Sequence, residues 1–282
     1  MPIITDHLTY VYGEKTNLQI TALNDVSTKI EEGQFIGLIG HTGSGKTTFL
    51  QLIAGLIKPK SGTVYLDGED IFDKSYDMMK LRGKVGIVFQ YPEHQLFEET
   101  VFKDVCFGPK NLGLSQKEVE LLAYDALKQV GLEDEAFYQS PFDLSGGQKR
   151  RAAIAGVLAM KPKILILDEP TAGLDPQGRK DILNLISKLQ KEQGITVILV
   201  SHSMEDVAEY VDRIMVINKG SIELDGTPKE VFAHEDKLTE CGLSVPKVTG
   251  AMMLLRRNGI PVRTDVITVD EAVEEIKRVY GK

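Results

Sequence analysis

The segment Gly40-His41-Thr42-Gly43-Ser44-Gly45-Lys46-Thr47 follows directly on an unbroken apolar run, Phe35-Ile36-Gly37-Leu38-Ile39. Nothing else in the chain restricts its fold so tightly. An apolar run without polar interruption fits a strand buried on both faces. Beyond the glycines, Phe49, Leu52, Ile53 and Leu56 recur at helical spacing, so the loop is a strand-to-helix turn. Gly40, Gly43 and Gly45 let the backbone wrap phosphates with its N–H groups at the positive end of a helix. Lys46 can reach terminal phosphates, and the Thr47 hydroxyl suits Mg²⁺. The expected nucleotide-binding stretch is Gly40, His41, Thr42, Gly43, Ser44, Gly45, Lys46, Thr47 and Thr48.

Ile164-Leu165-Ile166-Leu167 and Val197-Ile198-Leu199-Val200 are two further buried-strand runs. The helix between them starts at Asp175-Pro176, an N-cap followed by proline, and turns Ile182, Leu185, Ile186 and Leu189 inward. Strands alternating with helices give an α/β fold built on a mainly parallel sheet. Val26, Thr28 and Ile30 alternate as in a half-buried strand, and Ser61–Gly68 is a strand bracketed by turn residues. Val119, Leu122, Ala123, Ala126, Leu127 and Val130 belong to a helical insert that begins near Gln90.

Two carboxylates, Asp168 and Glu169, end the first of those aliphatic runs. Adjacent strand residues point in different directions and so can serve different roles. Asp168 suits the metal, and Glu169 suits polarising an attacking water. Lys46 and Mg²⁺ would then stabilise charge building on the phosphate oxygens.

Between the phosphate loop and this acidic strand end lies Leu144-Ser145-Gly146-Gly147-Gln148, followed by the basic Lys149-Arg150-Arg151. With these motifs the chain resembles the ATP-binding subunits of ABC transporters. The resemblance implies a P-loop ABC ATPase fold: a RecA-like core, an antiparallel β subdomain, a helical signature subdomain at about 90–160, and a small C-terminal helical appendage. It implies that Ser145, Gly146, Gly147 and Gln148 grip an ATP held by a second subunit, so that the working unit is a head-to-tail dimer. By the same likeness Gln90 matches the Q-loop glutamine that contacts Mg²⁺ or water, and His202 the switch histidine at the γ-phosphate. Asp175 closes the matching D-loop, Ala172-Gly173-Leu174-Asp175, which crosses the dimer interface. Tyr12 is the candidate platform for adenine, with Tyr10 two residues away as the alternative.

A narrower resemblance is carried by Phe89–Val101, by Asp104–Gly113 and by Ala153–Met160. These stretches resemble the ATPases of energy-coupling-factor transporters, in particular the second member of their ATPase pair. Such a subunit implies a sister ATPase, a shared transmembrane coupling subunit and a membrane substrate-binding S component. It also implies a place on the cytoplasmic face of the membrane and a role in uptake of vitamins or metal ions. Glu93, Glu98 and Glu99 make the segment after Gln90 acidic, and at least one of them is expected to pair with an arginine of the membrane partner.

The C-terminal region carries no catalytic constellation. Residues 1–229 are expected to form the nucleotide-binding domain and 230–282 a packing or dimerisation appendage. Thr227-Pro228-Lys229-Glu230 and Thr268-Val269-Asp270-Glu271 read as capping boxes. One helical stripe is Val248, Ala251, Met252 and Leu255; another is Ala272, Ile276, Val279 and Tyr280.

Composition removes several alternatives. A net charge of −8 argues against nucleic acid as a partner. The two cysteines, Cys106 and Cys241, lack metal-ligand spacing and read as reduced thiols. Met1–Asp6 lacks the layout of a secretory signal. A DNA-repair type of ABC ATPase needs long heptads or zinc cysteines, and a translation-associated one a second phosphate loop; neither occurs here. An iron–sulphur assembly ATPase, or a subunit of another importer class, stays open at this level. A non-hydrolysing module is disfavoured by Lys46, Asp168, Glu169 and His202.

Overall fold

The computed structural model describes residues 3–14 and 17–281; Met1 and Pro2 of the N-terminal hexapeptide lie outside them. The first sheet is antiparallel and is formed by β1 (Ile3–Tyr12), β2 (Ile20–Ile30), β4 (Ser61–Leu66) and the short β5 (Glu69–Asp70), in the order β2-β1-β4-β5. Between β2 and β4 the chain runs through β3 (Phe35–Ile39) and α1 (Lys46–Ile53). After α2 (Met78–Lys84) and β6 (Val85–Val88) come a 3₁₀ turn at Pro92–Gln95 and the helices α3 (Val101–Asn111), α4 (Gln116–Gln129), α5 (Asp134–Phe137) and α6 (Gly146–Leu158). The chain then returns to the core as β7 (Ile164–Asp168), α7 (Pro176–Gln193), β8 (Thr196–Val200), α8 (Met204–Tyr210), β9 (Arg213–Asn218) and β10 (Ser221–Gly226). The second sheet has the order β10-β9-β3-β8-β7-β6, parallel throughout except for edge strand β10.

Period-two alternation sorts its side chains into two cores. Phe35 and Ile39, Leu165 and Leu167, and Val197 and Leu199 face the helical layer containing α6 and α7. Ile36 and Leu38, Ile164 and Ile166, and Ile198 and Val200 face α1 and the antiparallel sheet. Apolar burial on both faces is why these strands read as continuous aliphatic runs. It fixes their registry, and with it the loops at their carboxyl ends.

Helix α1 is shorter than its spacing predicts. Gly55 takes φ +66, Gly55 N–H donates to Leu52 and Leu56 N–H to Gln51 at 2.8 Å. This left-handed stop leaves Leu56 outside the helix and 53% exposed.

The C-terminal elements are α9 (Pro228–Phe232), α10 (Glu235–Glu240), α11 (Lys247–Arg257) and α12 (Val269–Tyr280). Val231, Phe232, Leu238 and Cys241 pack into the main core, so a division at 229/230 runs through α9. A separate small core of Met252, Val262, Val266 and Ala272 begins with α11. Thr227 and Glu230 form the expected reciprocal capping box. At α12 only half the box forms: Thr268 accepts from Glu271 N–H, while the Glu271 carboxylate takes Ile267 N–H instead. Two apolar faces also differ from their sequence pattern. Ala251 is exposed while Thr249 is buried, its hydroxyl donating to Val266 O at 2.8 Å. Ile276 and Tyr280 are exposed, and Glu275 takes the inward place, ion-paired to Arg263 at 3.1 Å and Arg278 at 2.6 Å. Two guanidiniums and Arg263 N–H satisfy that carboxylate, which makes an inward charge tolerable where an aliphatic residue was expected.

Candidate active site

Buried β3 delivers the phosphate loop to the carboxyl edge of the parallel sheet, between β9 and β8. The loop is close-packed beneath. A Cβ at Gly45, which has φ +115, would stand 2.5 Å from Ala22 O, so glycine is required there. Gly45 caps α1 without a side-chain hydrogen bond, leaving the first-turn N–H groups directed at the loop's concavity. Ser44 Oγ is buried without a partner. Lys46 is 7% exposed, and its ammonium donates to Gly40 O at 2.7 Å and His41 O at 3.1 Å. Burial pushes that ammonium below the usual lysine value, opposed by the negative charges of Glu169 and Asp168. Thr47 is exposed and Thr48 buried. Thr48 Oγ1 shares a 3.1 Å hydrogen bond with the Tyr12 hydroxyl. The Tyr12 ring is 44% exposed, whereas Tyr10 packs onto the core beneath it, the two rings meeting edge to face.

The acidic pair stands at the end of β7. Asp168 lies opposite Val200 of β8, and Glu169 N–H donates to Val200 O at 3.1 Å. Burial pushes the Asp168 carboxyl up, Glu169 adds in the same direction, and Lys46 and His202 oppose it. Glu169 has φ 51, a left-handed conformation that few non-glycine residues adopt. Its carboxylate is held on both sides: His202 Nε2 lies 2.8 Å from Oε1, and Gln90 Nε2 donates to Oε2 at 3.1 Å. Lys46, Gln90, Asp168, Glu169 and His202 therefore converge from the ends of β3, β6, β7 and β8.

The signature motif opens α6, in the helical layer flanking edge strand β6. Ser145 caps α6, accepting from Gln148 N–H at 3.3 Å, while Gln148 Oε1 accepts from Ser145 N–H at 3.0 Å. The outer residues of the motif thus have a job within their own helix. Gly146 and Gly147 do not: a Cβ at either would meet nothing within 4 Å, and neither φ is positive. Asp175 caps α7, its Oδ1 accepting from Gly178 N–H at 2.7 Å.

Two of the three carboxylates in the acidic segment after Gln90 are engaged within the chain: Glu93 is bound by Arg150 of α6, and Glu99 by Lys103. Burial is the largest single influence and works against the Glu93 charge, yet the Arg150 hydrogen bonds, a backbone N–H and the nearby positive charge together outweigh it and hold this carboxyl below its ordinary value. Arg150 was not evident as a site residue. Its spacing to buried Ala153 and Ile154 on one helical face was the available signal.

The chain matches the ABC transporter family over residues 23–172. It is 53% identical over 278 residues to the energy-coupling factor transporter ATP-binding protein EcfA2 of Caldanaerobacter subterraneus, covering 99% of this chain and 97% of that one. The corresponding EcfA2 of Clostridium acetobutylicum is 55% identical over 280 residues, covering 99% and 98%. Among solved structures, cbiO1 from Clostridium perfringens, part of the ABC transporter complex cbiONQ, aligns with a TM-score of 0.75 at 39% identity, covering 91% of this chain and 96% of that one. A dimeric ATP-binding cassette in a post-hydrolysis state, bound to ADP and Pi, aligns at 0.70 and 32% identity, covering 80% and 98%. The α/β architecture is that of the ABC ATPases. With this core and these relatives, the chain belongs to the ATP-binding subunits of energy-coupling factor transporters, ATP-hydrolysing members of the ABC family.

Proposed function

We propose that this subunit hydrolyses ATP across a head-to-tail seam with a sister ATPase and so drives an importer in the membrane. The observation that carries the catalytic part is the convergence of Gln90 and His202 on the two oxygens of Glu169, beside the desolvated Lys46. Tyr12 stacks on adenine, and Gly40–Thr48 hold the phosphates. Lys46 exchanges its loop carbonyls for phosphate oxygens, and the unpartnered Ser44 hydroxyl gains an acceptor there. Thr47, Asp168 and Gln90 form an oxygen-donor set that fits Mg²⁺, which when bound neutralises charge on the phosphates. Glu169 accepts the proton of the attacking water at a free lone pair, since its present bonds to His202 and Gln90 occupy one site on each oxygen. His202 leaves Oε1 when it turns to the γ-phosphate.

Support for the seam comes from Gly146 and Gly147, whose faces are empty of their own chain. Close approach by something outside the chain accounts for glycine at both. Asp175 lies along the same seam. The nucleotide-binding unit in this reading takes in α9 and α10, which pack on the main core, and the packing and dimerisation appendage begins with α11. An apolar cleft lined by Leu56, Met79, Phe89, Phe107, Leu112 and Met160 opens between the core and the helical layer. It suits an apolar helix of the transmembrane coupling subunit, which in turn reorients an S component carrying a vitamin or metal ion. The subunit is peripheral, on the cytoplasmic face; among the described residues no helix is long and apolar enough to cross a membrane. Co-purification from detergent-solubilised membranes tests this: recovery with a sister ATPase and small apolar subunits is expected, and consistent recovery alone overturns it.

A further inference from the structure

Among the described residues two cations are buried, Lys46 and Arg150. The role of Lys46 follows from the phosphate loop; that of Arg150 does not. Arg150 projects from α6, and its side chain is 3% exposed. One edge of its guanidinium grips Glu93, with Nη2 donating to Oε1 at 2.7 Å and Nε to Oε2 at 3.2 Å. Nη1 donates to two carbonyls, Pro170 O at 3.0 Å and Ala172 O at 2.9 Å.

Both grips fall just beyond catalytic groups. Glu93 lies in the 3₁₀ turn entered from Gln90 through Tyr91, which has φ 54. Pro170 and Ala172 follow Glu169, which has φ 51. The side chains of Gln90 and Glu169 meet at 3.1 Å, so the contacts form a closed ring through Arg150. Two left-handed non-glycine residues stand in this ring, each beside a segment that Arg150 holds. Such backbone conformations persist where surrounding contacts over-determine them. A planar fork with five donors can hold a carboxylate and two carbonyls at once; an ammonium on a flexible stem cannot fix that geometry.

We infer that Arg150 is a positioning residue for hydrolysis: its guanidinium sets Gln90 and Glu169 relative to each other and ties both to the signature helix. The inference rests on Glu169 being the base. It adds that a shift of α6, when its N-terminus meets the neighbouring subunit's nucleotide, reaches the base through one side chain. A purely structural role would make Arg150 a buried ion pair whose loss lowers stability only.

The test compares wild type, Arg150→Lys, Glu93→Gln and the double variant, each in the assembled complex. In Arg150→Lys, kcat should fall roughly 10–10²-fold, the scale of a small misplacement of a catalytic group. The Kd for a non-hydrolysable ATP analogue should stay within about twofold, since the phosphate loop is untouched. Circular dichroism at the assay temperature should show full folding. Glu93→Gln should lose less, and the double variant no more than Arg150→Lys alone, because both changes cut one tether. Wild-type kcat in folded Arg150→Lys, or additive losses, overturns the inference. Should Arg150→Lys not fold, Glu93→Gln decides: a fall in kcat of at least about threefold at unchanged Kd supports it, and an unchanged kcat overturns it. A wild-type complex without ATPase activity would sink the functional reading instead.

Discussion

Lys46 in the core and Glu275 in the C-terminal appendage are both inward-facing charges, and they are solved in opposite ways. Glu275 is complete: two guanidiniums and a backbone N–H hold its carboxyl down to about 2. Among the described residues Lys46 has only the carbonyls of its own loop in hydrogen-bond range, and its pKa is pushed down by burial. A satisfied buried charge is architecture. One left short of counter-charge is poised for a ligand that brings it, here a polyphosphate.

The largest effect that bears on this contrast is at the base. Glu169→Gln should lower turnover roughly 10²–10⁴-fold while nucleotide binding persists, measured by steady-state ATPase assay and equilibrium binding. Near-normal hydrolysis would remove Glu169 from that role. Next, Lys46→Met should weaken ATP binding about 10–10²-fold, the worth of a charge-assisted hydrogen bond. Without nucleotide its melting temperature should hold or rise, since an incompletely paired buried charge is removed. A clear fall in the nucleotide-free melting temperature would mean that Lys46 is architecture as well.

Glu275→Gln should do the reverse, lowering the melting temperature while leaving ATP affinity unchanged. Acid separates the two sites further. The Glu275 carboxyl is depressed from 4.5 to about 2, so its contribution is intact above 4.5 and is lost as pH falls toward 2. Lys46 has the same slope in a different window and for the opposite reason: its folded pKa lies below 10.5, so the cost of its buried charge is present at lower pH and is relieved as pH climbs from that lowered value through 10.5. Thermal melts of wild type and each variant across both ranges measure this. The smallest effect is expected for Ile276→Ser with Tyr280→Ser, within about 0.5 kcal/mol of wild type for the monomer, because both side chains are exposed. A large loss would restore them to the core.

The same division governs how much could be read from sequence. Strands such as Ile164–Leu167 are apolar on both faces and are legible without knowing their neighbours. Lys46, Asp168, Glu169 and His202 follow such strands directly, so their meeting point was readable in order. The Tyr12 environment was less so, since Tyr10 and Tyr12 share one face of β1 and only packing shows which ring stays open. Glu275 and Arg150 were hidden because each has a partner distant in sequence: Arg263 lies across a loop from Glu275, and Glu93 across the whole helical insert from Arg150. Spacing on one helix offers Arg278 to Glu275 and an inward face to Arg150, but neither distant partner.

The pairing of Asp168 with Val200, and of the next amide with the same carbonyl, ties the ends of β7 and β8 together. Glu169 and His202 meet because two aliphatic runs stop level with each other. Deleting one residue from either run would slide its end by about 3.3 Å and turn the terminal side chain to the opposite face. Leucine, isoleucine and valine can replace one another along these runs with modest repacking, whereas a change of length cannot be absorbed. Descendants of this chain are therefore free to drift in residue type there, but not to gain or lose a codon.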